Sequence, residues 1–406
     1  MQSHQSGGGA LKRSIGLPGM VFYGVGTIIG GGFYALLGKI VGDAGVFAPL
    51  SLLAACAIAL LNAFSFAELS RRYPVSAGEV QYVEAGFGRR RLAQVVGVLV
   101  ILTGVISSAT LCAATGGFLL DLTGISAVTL IALTALVLIG IASWGVDESV
   151  VVIAAVTLVE AGTLLVIILF SGDRLLALPE MIGSMALHRD QFSGSAFIAT
   201  TFLAFYAFVG FEDMVNMAEE VQDVERTLPR AIFISMAITV FLYVGVAIAA
   251  IGLEDRDALA RAHTPLALLL PQWKYGDLTI GVISIMAGLN GALVQLIMAS
   301  RVLYGMAGRG MAPRLFARVH PFTRTPLRAT LLVGAVVLAL STSFPLSRLA
   351  EASSFVLLLV FALVSLALAA LRWREGLAQG VARVPWLALL AAGSCLAMVV
   401  LRFIPF

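Results

Sequence analysis

Five glycines in nine residues interrupt the first apolar segment of the chain, at Gly24, Gly26, Gly30, Gly31 and Gly32. As a helix rising 1.5 Å per residue, residues 15–38 are long enough to cross the ~30 Å hydrocarbon core of a bilayer. Each interior glycine costs a helix roughly 0.5–1 kcal/mol relative to alanine. A break in lipid also strands backbone N–H and C=O groups where water cannot reach them. Such backbone survives at membrane depth only where protein buries it or a polar cavity receives it. The freed N–H groups, with the positive end of the half-helix after the break, then make a seat for an anion such as a carboxylate. Close helix packing through small residues is the other reason for such a run.

The rest of the chain is equally apolar. Its 406 residues are 60 % hydrophobic and 12 % charged, against about 25 % charge in soluble domains, which predicts a polytopic membrane protein. Apolar runs predict eleven spans, at about 15–38, 45–70, 93–119, 124–144, 148–170, 195–220, 229–252, 277–307, 328–345, 349–371 and 384–403. With the N-terminus inside, most of the 26 Lys and Arg residues fall in cytoplasmic segments, as the positive-inside rule requires. Residues 1–14 read as a cytoplasmic tail leading into an uncleaved span. Residues 71–91 read as a cytoplasmic connection and 308–327 as a basic linker. Asp257 to Leu270 is expected to form short surface helices. Cys56, Cys112 and Cys395 all lie in apolar segments, an odd count that argues against a disulfide framework.

The sixth span is the second irregular one. Gly210 is followed at once by Glu212 and Asp213, then Asn216. A charged side chain near the bilayer centre costs 2.5 kcal/mol or more, so such residues usually face a cavity or a partner. Interrupted helices at corresponding places in two halves are the best sequence pointer to a transporter site. Glu160 lies in the middle of the fifth span, with Thr157 and Thr163 one turn away on the same side. His4, His188, His263 and His320 all fall in tails or loops, so any intramembrane proton relay rests on a carboxylate. Glu160 is either that relay or a structural clamp. Asn290, Gln295 and Ser300 of the eighth span are either interhelical glue or ligands, and Ser107, Ser108 and Ala109 of the third leave space without naming an occupant.

These stretches together resemble the amino acid–polyamine–organocation (APC) superfamily of permeases. The resemblance rests on Gly26 to Tyr34, Phe205 to Glu212, Ala218 to Val221 running on to Thr227–Arg230, and Ala299 to Ala307. It implies an all-α membrane bundle of five-plus-five inverted repeats, the leucine-transporter-like fold, with discontinuous first and sixth helices. The repeats would occupy 15–170 and 195–371, with an extra span in 384–406. It also implies alternating access and an amino acid or amine substrate. On this resemblance the backbone of Thr27, Ile28, Ile29, Gly30 and Gly31 holds the substrate carboxylate. The carbonyls of Phe208 and Val209, beside Gly210, hold its ammonium, and Tyr206 gates the site. Glu160 aligns with a fifth-span lysine that proton-coupled relatives use in place of sodium, here replaced by an acid.

The expected function is therefore a secondary active transporter of amino acids or amines in a cell membrane, proton-coupled through Glu160. An exchanger or a sodium-coupled symporter are the alternatives, and a non-transporting sensor on the same fold is the competing class. Ser107, Glu212, Asn290 and Gln295 are secondary candidates. No His/Asp cluster stands at metal spacing, so no metal, cofactor or catalytic group is expected, nor any nucleic-acid partner.

Overall fold

The computed structural model describes residues 13–75, 78–144, 150–176, 192–253, 256–270, 274–378 and 385–403, with residues 179 and 183 besides. Most of the N-terminal tail, with His4 and His188, lies outside the described residues. Within them the chain is helical, apart from turns and one isolated bridge between Ile15 and Val221. Eight stretches are long and apolar enough to cross a membrane. One of these holds two helices, α1 (Leu17–Ala44) and α2 (Ala48–Arg72), joined by a 3-10 turn at Gly45–Phe47. Two shorter apolar helices, Ala154–Phe170 and Leu327–Ser343, stand besides. Every apolar segment read from the sequence contains a helix.

One helix was not expected. The connection at 71–91 contains α3 (Gly78–Phe87), which buries Glu79, Tyr82, Val83 and Gly86. That spacing is one helical face, but it sits between two arginine clusters in a stretch with turn residues at both ends. The chain continues through α4 (Arg90–Thr123), α5 (Ala127–Trp144), α6 (Val150–Phe170), α7 (Gly172–Leu176) and α8 (Gly194–Phe205). It ends with α9 (Val224–Ile251), α10 (Arg256–Arg261), α11 (Gly276–Gly308), α12 (Leu327–Ser343), α13 (Leu346–Ala378) and α14 (Trp386–Phe403).

Two groups of helices pack around α1. The first comprises α1, α2, α8 and α9; the second comprises α4, α5, α11, α12 and α13. The α4–α11 pair makes the most extensive contact in the molecule, and small residues permit it: the Ser108 hydroxyl donates to the Ala292 carbonyl at 2.9 Å. Polar side chains inside the bundle find partners across helices. Ser365 of α13 donates to Asn62 Oδ1 of α2 at 2.9 Å, and Asn62 Nδ2 lies 3.0 Å from Cys395 Sγ of α14. Large apolar side chains cover the outside instead, among them Trp144, Leu169, Phe170 and Phe241. That is the arrangement of a bundle whose solvent is lipid.

The chain begins on one face, called here the N-terminal face, where backbone bonds join Ser14 and Ile15 to Glu220 and Gln222 to Ile15. Glu68, Arg72, Arg372 and Glu375 cross-link α2 to α13 near this face. Here too, burial pushes the Glu79 carboxyl of α3 from its ordinary 4.5 up to about 7. A carboxyl with a raised folded-state value contributes stability fully below its unfolded value and loses it as pH rises to the folded one. The unfolding temperature should therefore fall between pH 4.5 and about 7, and Glu79→Gln should flatten that slope. Thermal unfolding of both proteins across the window checks this; parallel profiles contradict it.

Candidate functional site

Both crossings that the sequence marked as irregular are broken. In α1 the backbone leaves helical geometry at one residue, Gly30, with φ 22° and ψ −176°. The sixth crossing breaks over several residues. After α8 come a 3-10 turn at Tyr206–Phe208, extended Val209, Gly210 at φ 125°, and a second 3-10 stretch at Glu212–Met217.

The two breaks interlock, and their freed groups are satisfied by each other and by side chains. A Cβ on Gly210 would lie 2.3 Å from the Thr27 carbonyl oxygen, so only glycine permits this approach. The Thr27 hydroxyl is shared between the carbonyls of Gly210, at 3.0 Å, and Gly24, at 3.1 Å. The Gly210 N–H donates to Glu212 Oε2 at 2.8 Å. The Tyr243 hydroxyl of α9 donates to the Ile28 carbonyl at 2.9 Å, with the Ile29 carbonyl at 3.3 Å.

The glycine run serves both purposes considered from sequence. Gly31 packs: a Cβ there would stand 2.6 Å from Gly288 Cα of α11. Gly30 opens: a Cβ there would meet nothing within 4 Å. The space beside it is a cavity lined by Thr27, Ile28, Gly30, Ser107, Tyr206, Val209, Asp213, Asn290 and Gln295, among others. It measures about 30 Å³, room for about two waters.

The cavity adjoins a larger one. Tyr23, Asp213 and Val294 line both it and a vestibule of about 430 Å³, which also meets Glu219, Glu220, Arg301 and Arg309 on the N-terminal face. Tyr206 lines the cavity as well. Its ring lies against Gly32 and its hydroxyl donates to the Ser107 carbonyl at 3.3 Å. Beyond Tyr206, α10 and the 3-10 turn Pro265–Leu269 pack on α1. The short helices expected here do form, with Asp257, Arg261 and His263 exposed, but Leu259 and Leu266 are buried against α1, so the segment sits on it as a plug. Asp121 holds the plug, with His263 Nδ1 at 3.0 Å and Thr264 Oγ1 at 2.6 Å.

Of the residues singled out from sequence, Thr27, Ile28, Gly30, Tyr206, Val209, Ser107, Asn290 and Gln295 line the cavity. Ile29, Gly31, Phe208 and Gly210 do not; they build the breaks behind it. Glu212 turns away to its neighbour's N–H. Asp213, beside it, is the carboxylate that reaches the cavity, and its amide bonds the Gly210 carbonyl at 3.2 Å. Glu160 stands off the cavity wall. Its carbonyl accepts from Tyr34 at 2.8 Å, while neither carboxylate oxygen has a hydrogen-bond partner among the described residues. The same holds for the nearby Thr157 hydroxyl, which faces Gly26 of α1. Among the described residues no His/Cys/Asp/Glu group could hold a metal ion.

A lipid-facing helical bundle with two snapped crossings around a polar cavity defines an integral membrane permease. Residues 15–406 match the amino acid permease family, and the chain belongs to it, within the APC superfamily. An uncharacterized transporter of Mycobacterium tuberculosis (strain H37Rv) is 32 % identical over 378 residues, 90 % of this chain and 82 % of that relative. A vacuolar cationic amino acid transporter of Arabidopsis thaliana is 29 % identical, covering 91 % of this chain and 61 % of its own length. A branched-chain amino acid permease of Bacillus subtilis (strain 168) is 28 % identical, covering 91 % and 83 %.

Proposed function

We propose that the chain is a secondary active transporter that grips an amino acid between its two broken helices and passes it by alternating access. The open space against Gly30, inside an otherwise crowded glycine run, carries this reading. The N–H groups of Thr27 to Gly31 and the positive end of the second half of α1 hold the carboxylate. The carbonyls of Phe208 and Val209, at the negative end of α8, hold the ammonium. No catalytic group takes part. Relatives named for cationic and branched-chain amino acids support an amino acid substrate without choosing one.

A cavity with room for about two waters must widen to admit a zwitterion. In this reading α1, α2, α8 and α9 rock as a body against α4, α5, α11, α12 and α13. Residues 15–170 and 195–371 are the inverted halves, each with its break in its first crossing. With the N-terminal face in the cytoplasm, the vestibule is the inward path, and Tyr206 with the Asp121-anchored plug closes the outward one. Reconstituted protein should accumulate radiolabelled amino acid in vesicles. Absence of flux for all twenty amino acids and the common polyamines would favour a sensor on the same fold.

Glu160 supplies the coupling. A carboxylate without a hydrogen-bond partner among the described residues, buried against α1 near Gly26 and Tyr34, takes part in whatever proton or cation exchange accompanies the rocking. Glu160→Gln should remove the dependence of uptake on pH while preserving exchange of internal for external substrate. An unmoved profile makes Glu160 structural. Flux that collapses without sodium at fixed pH assigns the coupling to sodium instead.

A further inference from the structure

The floor of the cavity holds a buried carboxylate and a buried amide in contact. Asp213, 2 % exposed, lies where the cavity meets the vestibule. Its Oδ2 accepts from Gln295 Nε2 of α11 at 2.7 Å. That bond fixes the Gln295 amide, because only the nitrogen end can donate to a carboxylate. The amide oxygen is consequently an acceptor, and it has no donor among the described residues although Gln295 is only 6 % exposed. A buried acceptor left without a donor is costly and needs a partner. Among the described residues lining the cavity none is Lys or Arg, so its floor presents a carboxylate oxygen bonded to Gln295 and, beside it, the open amide oxygen.

Spacing places this floor one side chain away from the breaks. Asp213 follows Gly210 by three residues, one 3-10 turn of roughly 6 Å at 2 Å per residue. A side chain of three or four methylenes, on an amino acid seated between Gly30 and Val209, reaches that far. We propose that Asp213 and Gln295 form a subsite for a cationic side-chain group, so that the protein selects amino acids ending in an ammonium or guanidinium. The proposal rests on the preceding reading of the breaks as the seat of the zwitterion. An ammonium there makes a charge-assisted bond to Asp213 and donates a second proton to the Gln295 oxygen. The methylene stem lies along Val209, Val294 and Leu111, which line the same cavity.

Lysine against norleucine tests this, since norleucine is lysine with a hydrogen in place of the terminal ammonium. Equilibrium binding to the purified full chain should favour lysine by at least about tenfold, and Asp213→Asn should lower the lysine-over-norleucine ratio by about 30-fold. Gln295→Leu should lower the ratio by a smaller factor, which provides a second reading should the aspartate variant fold poorly. Norleucine binding the unmodified protein as well as lysine does overturns the subsite and leaves the seat at the breaks standing. Equal loss of both ligands in Asp213→Asn also overturns it, because the aspartate then serves the α-ammonium. If neither ligand nor any other amino acid binds, the reading of the breaks fails and takes the subsite with it.

Discussion

Replacing Gly30 with leucine is expected to reduce uptake to background while leaving a folded protein in the membrane. The two halves of that outcome have separate causes. Folding survives because a Cβ at Gly30 meets nothing within 4 Å, so the new side chain displaces no neighbour at its root. The backbone at φ 22° does strain any L-residue, at a cost of roughly 1–2 kcal/mol. Uptake fails because the rest of the leucine must occupy a cavity of about 30 Å³ at the point where the carboxylate would sit. Gly31 provides the contrast. A side chain there drives into the backbone of Gly288 at 2.6 Å, forces α1 off α11, and should cost the protein its fold. Uptake by the Gly30 variant and yield of monodisperse protein for both variants distinguish the positions. A Gly30→Leu protein that transports within about twofold of the original, a gap of about 0.4 kcal/mol, removes the site from the break.

Gly210→Ala carries the other large effect, and it acts on the framework. The added methyl would stand 2.3 Å from the Thr27 oxygen, 2.5 Å from its carbonyl carbon and 2.9 Å from the Ile28 nitrogen, all of them backbone atoms. No rotamer change relieves such a contact. Overpacking typically costs about 1–3 kcal/mol, and the left-handed region at φ 125° adds roughly 1–2 kcal/mol for a residue with a side chain. The expected loss is about 2–5 kcal/mol, read as a clear drop in apparent unfolding temperature in detergent, with uptake lost alongside. An alanine variant as stable as the original means that the two breaks do not interlock.

Much of this was legible in the residues. The breaks were, because glycine runs and adjacent carboxylates violate the chemistry of a continuous span at the positions where they occur. The helices were, because a span needs about twenty apolar residues whatever its packing. Several features resisted. Which of Glu212 and Asp213 faces the cavity depends on the pitch of the chain after Gly210. A 3-10 stretch turns neighbouring side chains through angles that helical periodicity does not describe. The sequence pointed to Glu212, and the cavity holds Asp213. The glycines were similarly ambiguous, since Gly30 and Gly31 are identical in sequence and opposite in role. Only the position of α11 separates them. The helix α3 and the buried plug at Leu259 to Leu269 share a third reason: short segments between charged residues read as surface until their neighbours are known.

The claim on which the account turns is that main-chain dipoles at two breaks hold both ends of a zwitterion. Thermal unfolding of the purified protein with each of the twenty amino acids, and with their methyl esters and N-acetyl derivatives, tests it most directly. Ligand that binds only the folded state raises the unfolding temperature. At least one free amino acid should do so, and its ester and its N-acetyl form should both fail, since each removes one of the two charges. Esters or N-acetyl forms that stabilise as well as their parent amino acid, or a panel in which no amino acid stabilises at all, would contradict it.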